Sequence, residues 1–132
     1  MKKSLAALAV VGVAAASLVT TAPAASAAGC VTSGITTGYQ GPGSVAYKAA
    51  SGCRDLNLTY SYDSAGTGWD SYAGYYKNSS GTWTRGSRGY TGLLSDGAYS
   101  LGSIVLVSDL TSGRAFSVAS DYNGGDWVVI TH

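Results

Sequence analysis

Few residues of this 132-residue chain can do acid, base or nucleophilic chemistry: seven Asp, no Glu, two Cys, and a single His that is the last residue, His132. A Ser-His-Asp triad needs an imidazole held in one orientation by packing on both sides. A terminal residue is expected to fray, so His132 is not read as a base. One His and two Cys cannot complete a four-ligand zinc site without recruiting Asp. Asp121-Tyr122-Asn123-Gly124-Gly125-Asp126 offers alternating oxygens of the kind calcium takes, but Asn123-Gly124-Gly125 is also what a hairpin connection requires, and the turn is the reading adopted. Asp63, Asp70 and Asp96 could supply a glycosidase's two carboxylates, yet nothing in their spacing recommends it. The expectation is a chain without catalytic residues, metal ligands or a cofactor.

The positive signal is aromatic. Between residues 55 and 92, Tyr and Trp alternate with Ser, Thr, Gly and charges, so the segment reads as a surface that is also partly core. Tyr and Trp give rigid amphipathic contact area at low entropic cost, and Arg stacks on their faces. The candidate binding residues are therefore Trp69, Tyr72, Tyr75, Tyr76, Trp83, Arg85 and Arg88. A small sandwich also packs a Trp at its centre, which is the plainer account of Trp69 or Trp83 taken singly.

Strands must position these rings. Helical spacing appears nowhere after the leader, and the nineteen Gly would each weaken a helix. Strands are expected over 31–36, 44–49, 56–63, 69–78, 82–85, 98–101, 103–109, 114–120 and 127–131, with turn signals between them. In the third, Leu56, Leu58, Tyr60 and Tyr62 share one face and Asn57, Thr59, Ser61 and Asp63 the other. Ser79-Ser80-Gly81 has the form of a three-residue hairpin loop with Gly in the left-handed position. That register sets Asn78 opposite Thr82, Lys77 opposite Trp83, and Tyr75 opposite Arg85. One hairpin face then carries Trp69, Tyr75, Lys77, Trp83 and Arg85, and the other Tyr72 and Tyr76. Ile104-Val105-Leu106-Val107 and Trp127-Val128-Val129-Ile130 read as strands covered on both faces or central in a sheet. The fold class is all-β: a compact antiparallel β-sandwich or small barrel of about eight strands with one disulfide.

Residues 1–27 have the form of a secretory signal peptide: Lys2 and Lys3, an apolar run over 5–19, and Ala25-Ser26-Ala27 as the cleavage pattern near Ala27. The run is too short to span a membrane. The mature part, 28–132, is one domain expected to be secreted, with Cys30 and Cys53 paired as in other exported chains of even Cys count. Ala27-Ala28-Gly29-Cys30 also resembles a lipobox, in which Cys30 is acylated instead. Of eight Lys and Arg, two leave with the leader, so six cations face seven Asp. This balance gives no case for nucleic acid or an anionic membrane as partner.

Cys30, Gly43-Ser44-Val45-Ala46-Tyr47, Gly52-Cys53, and then Trp69 with Tyr72-Ala73-Gly74, resemble the spore-associated protein A type of small exported protein from filamentous high-GC bacteria. That resemblance implies an extracellular, non-enzymatic protein. The Tyr-rich hairpin and Gly-rich start are also similar to the adaptor subunit of secreted umbrella-shaped toxin particles, which implies a joint between larger subunits. No functional residue carries over from either. The expected function is a non-catalytic module that binds another extracellular protein through its aromatic hairpin, by side-chain anchors or strand addition. The alternatives are a carbohydrate- or cell-wall-binding domain, and an inhibitor whose 85–90 loop offers Arg85 or Arg88 to an extracellular hydrolase.

Overall fold

The computed structural model describes residues 29–132, so the expected signal peptide and its cleavage site lie outside the described residues. The described chain is all β, with twelve strands. Four of them make one sheet in the order β9 (Gly97–Ala98), β4 (Leu56–Tyr62), β12 (Trp127–Thr131), β1 (Thr32–Thr36), and β10 (Val105–Val107) pairs with the other end of β4. The second sheet runs β2 (Gly38–Tyr39), β11 (Ala115–Ser120), β6 (Tyr72–Lys77), β7 (Trp83–Arg85), with β3 (Ala46–Tyr47) also on β11. Strands β5 (Trp69–Asp70) and β8 (Leu94–Ser95) form a separate ribbon. Pairing is antiparallel except between β2 and β11. More strands appear than expected because the Gly-rich connections contribute two-residue pairings.

The core lies between the sheets. Ile35, Leu56, Leu58, Val128 and Ile130 face Tyr72, Phe116 and Val118, and Leu106, Val107 and Leu110 close one side. Burying apolar surface at about 25 cal/mol per Å2 is the main force joining the layers. β12 is central, as its continuous apolar run predicts. β10 is not: it pairs with β4 alone, and is buried because the second sheet presses on it at Gly74 and Gly86. A Cβ at Gly74 would lie 2.6 Å from Val107 Cγ2, and one at Gly86 3.0 Å from the same atom.

The alternation expected along β4 does not hold. Val129 pairs with Tyr60 but Ile130 with Leu58, which leaves Thr59 as an extra residue, a β-bulge. Beyond it the faces exchange. Leu56 and Leu58 point inward, and so do Ser61 and Asp63, whereas Tyr60 and Tyr62 are turned out to 38% and 52% exposure.

Cys30 and Cys53 are joined, with Cα atoms 5.1 Å apart, so the Cys30 thiol is not available for acylation. Beside this staple, His132 is buried and not frayed. Its backbone exchanges two hydrogen bonds with Val31, both 2.7 Å. Its Nδ1 accepts from the Ala49 N–H at 3.0 Å, its Nε2 bonds Ser33 Oγ at 2.9 Å, and its ring packs edge-on against Phe116. Lys48 is buried nearby, where Nζ donates to the carbonyls of Ala49 (2.7 Å) and Cys53 (2.6 Å).

Candidate functional site

The β6–β7 hairpin forms with the register its loop chemistry dictates: Tyr75 faces Arg85, Tyr76 faces Thr84, and Lys77 faces Trp83. Gly81 takes φ +82°, and Asn78 N–H donates to the Thr82 carbonyl at 2.9 Å. The Asn78 side chain locks the turn by accepting from Ser80 N (3.0 Å), Ser80 Oγ (2.7 Å) and Thr82 N (3.1 Å).

The outer face of this hairpin is a strip of half-buried rings under cations. Lys77 Nζ stands 5.4 Å from the centroid of Trp83, and the Arg85 guanidinium 5.4 Å from that of Tyr90. Tyr75 lies opposite Arg85 and beside Tyr90. Burial, then the neighbouring Tyr75 and Asp121, push the Tyr90 hydroxyl up to about 12, against the pull of Arg85. The strip is therefore neutral in its rings and positive at its rim. Cation–π contacts of this kind are worth about 0.5–1 kcal/mol where exposed.

Below the strip, on the inner side of the hairpin, a groove of about 570 Å3 runs between β7 and the segment after β10, lined by Tyr76, Asn78, Thr84, Arg88 and Arg114 among others. Arg88 Nε donates to Ser108 Oγ at 3.0 Å, and Arg114 Nη1 to the Lys77 carbonyl at 2.9 Å. Asp109 also lines it, and its carboxylate is paired with Arg54 at 2.9 Å.

The seven candidate residues thus separate. Tyr75, Trp83 and Arg85 share the strip; Tyr76 and Arg88 line the groove. Tyr72 is sealed at 0% exposure, a core residue whose hydroxyl donates to Asp126 Oδ2 at 3.0 Å. Trp69 leaves the hairpin altogether, because β5 pairs with β8, and its ring meets Tyr122 edge-on at 5.0 Å. What pulls the chain off the ladder is Asp70: it accepts from Ser71 N at 2.6 Å and from the N–H groups of Asp121, Tyr122 and Asn123 at 3.0–3.2 Å. Arg85 and Arg88 are both exposed, one resting over Tyr90 and the other donating to Ser108.

Tyr90 and Arg114 were not among the expected residues. Tyr90 reaches the strip only because a turn closed by Gly89 N–H on the Gly86 carbonyl folds it back, which no strand periodicity reveals. A second exposed group of rings lies on the outer face of the other sheet. There Trp127 is cross-strand to Tyr62, and Val129 to Tyr60. The Trp127 ring lies on Gly34, where a Cβ would sit 2.2 Å from it, and remains 48% exposed.

Three carboxylates converge at a place that no spacing in the sequence singles out. Asp121, Asn123 and Asp126 do not form one oxygen set. Instead Asp63, Asp70 and Asp126, all buried, bring carboxylate oxygens within 4.8 Å of one another. Each is already engaged. Asp63 accepts from Ala65 N (3.2 Å), Thr67 N (2.6 Å), Gly68 N (3.0 Å) and the Thr67 hydroxyl. Burial alone would raise its carboxyl, but these donors outweigh it and hold it at about 2. Asp126 Oδ1 accepts from Ser64 N, Ser64 Oγ and Asn123 Nδ2, and burial together with nearby Asp70 nonetheless pushes its carboxyl up. A hard cation favours such oxygens, but here they serve as loop staples for 64–68 and 121–126. Asp96 stands outside the cluster and accepts from Asp63 N at 2.8 Å.

Comparison of the chain with protein-family models, curated proteins and solved structures found no match.

Proposed function

We propose that this is a secreted, non-catalytic module that binds another extracellular protein through the outer face of the β6–β7 hairpin. The observation that carries the reading is the strip itself: Trp83, Tyr75 and Tyr90 half-buried in a row, with Lys77 and Arg85 over two of the rings. Aromatic rings rimmed by Arg are enriched where proteins meet. The Cys30–Cys53 disulfide fits an oxidising compartment, and no helix among the described residues is long and apolar enough to cross a membrane. The same face suits an adaptor that joins larger extracellular subunits. The test is affinity capture from the producer's culture fluid with the wild type and a Trp83→Ala, Arg85→Ala variant. A retained protein that the variant loses supports the reading; identical retention by both removes it.

A second reading, carbohydrate or cell-wall binding, is favoured by a different observation. Trp127 packs on Gly34 beside Tyr62 and Tyr60 and stays half exposed, and a group of exposed rings on one sheet face is the kind of surface on which sugars stack. Pull-down with insoluble cellulose, chitin and cell wall tests it, with loss on Trp127→Ala as the supporting result and no retention by any polymer as the opposing one.

A further inference from the structure

β7 is an edge strand with a free side. Among the described residues it pairs only with β6, and Asn78 N–H to the Thr82 carbonyl and Gly86 N–H to the Gly74 carbonyl fix which of its residues bond inward. Antiparallel partners alternate between bonded and non-bonded pairs. With the bonded rungs at Asn78/Thr82 and Gly74/Gly86, Tyr76/Thr84 is the bonded rung between them. Trp83 and Arg85 are therefore the non-bonded positions, and their N–H and C=O groups point away from β6 into solvent.

Natural proteins protect such edges with charge, bulges or covering segments. On the first sheet, Ser44 partly covers β1, donating its N–H to the Thr36 carbonyl and accepting Thr36 N–H on its hydroxyl, both at 2.9 Å. Among the described residues β7 has no such cover. What lies along it differs between its faces: the ring strip on the outer side and, on the inner, the mouth of the groove with Arg88. The one acid lining that groove, Asp109, is neutralised by Arg54.

Resting on the protein-binding reading, we infer that the hairpin takes its partner as an added β-strand on β7, and that this strand is acidic at alternate positions. Its main chain bonds the outward groups of Trp83 and Arg85. Side chains in a strand alternate between faces. One set lies on the ring of Trp83 and is apolar; the other points to the groove side and presents carboxylates to Arg88, whose Nε alone is engaged by Ser108, where charge-assisted hydrogen bonds form.

The experiment uses fluorescence polarisation with the disulfide-bonded protein and labelled peptides of about six residues, an ordinary strand length. The probes are alternating Asp/Val, alternating Lys/Val, and the Asp/Val peptide N-methylated on either of its two alternating sets of amides. Expected are binding of the Asp/Val peptide about tenfold or more tighter than Lys/Val, loss with one methylated set but not the other, and weakening by Arg88→Glu. Arg88→Glu is informative because its site is exposed and its loss leaves the ladder intact. Equal affinity for acidic and basic peptides, no binding of either, or indifference to both methylation patterns overturns the inference. Capture of a protein lost on Trp83→Ala, Arg85→Ala alongside any of those results sinks strand addition alone and leaves the hairpin face standing.

Discussion

The hydroxyl of Tyr72 and the carboxylate of Asp126 meet in the interior at 3.0 Å, tying the first residue of β6 to the loop before β12. Neither is exposed. Tyr72→Phe keeps the ring and removes the donor, so a buried acid loses a partner at a cost of about 1–3 kcal/mol. Urea denaturation at neutral pH measures it. The deficit should shrink on acidification, because Asp126, its carboxyl raised by burial, takes a proton and no longer needs the bond.

His132 gives a second pH effect of known sign. Burial, with nearby Lys48, lowers its imidazole from 6.5, and its Nδ1 can accept the Ala49 N–H only when unprotonated. The folded form thus binds fewer protons than the unfolded one, so this stabilisation is present above the ordinary His value and is lost as pH falls below it. His132→Phe retains packing on Phe116 without titrating. The stability gap between wild type and variant should narrow between about pH 7.5 and about pH 5.5; a constant gap contradicts the assignment.

Asp63 acts at lower pH. With its carboxyl held at about 2 against an ordinary 3.8, its contribution is full above the ordinary value and disappears as pH falls toward the folded one. Asp63→Asn should remove that part of the acid transition and expose the 64–68 loop to proteolysis at neutral pH.

Gly74 is predicted to tolerate no side chain. Its Cβ position lies 2.6 Å from Val107 Cγ2 and 3.0 Å from Leu106 Cβ, so Gly74→Ala should cost about 1–3 kcal/mol by overpacking. Val107→Ala in the same molecule should recover part of the loss, a non-additivity that thermal melts of the double variant can read.

Reduction of Cys30–Cys53, which spans a sequence separation of 23, should lower stability by about 3 kcal/mol on the loop-entropy model. Denaturation with and without dithiothreitol checks it. The loss should be largest around Lys48 and His132, whose hydrogen-bond partners lie within or beside the closed loop.

What could be read from the sequence was what short-range chemistry determines. Ser79-Ser80-Gly81 sets its own register, so the facing of Lys77 with Trp83 follows from the loop alone. The bulge at Thr59 left no such mark. Leu56 to Tyr62 alternates without interruption, and the slip exists only in how β4 meets β12, where Val129 and Ile130 choose Tyr60 and Leu58. The departure of Trp69 from the hairpin is of the same kind, since the Asp70 acceptors that cause it are filled by residues some fifty positions later. His132 misled because fraying is a rule for unpaired ends, and this one bonds Val31 through both its N–H and its carbonyl.

The slip at Thr59 gives the molecule two kinds of interior on a single ribbon. Its first half lends oil to the middle of the sandwich; its second half, through Ser61 and Asp63, lends hydroxyl and acid to a polar chamber at the far end. Protons act on the second and leave the first untouched, so acid should loosen the end built on Asp63 before the apolar middle gives way.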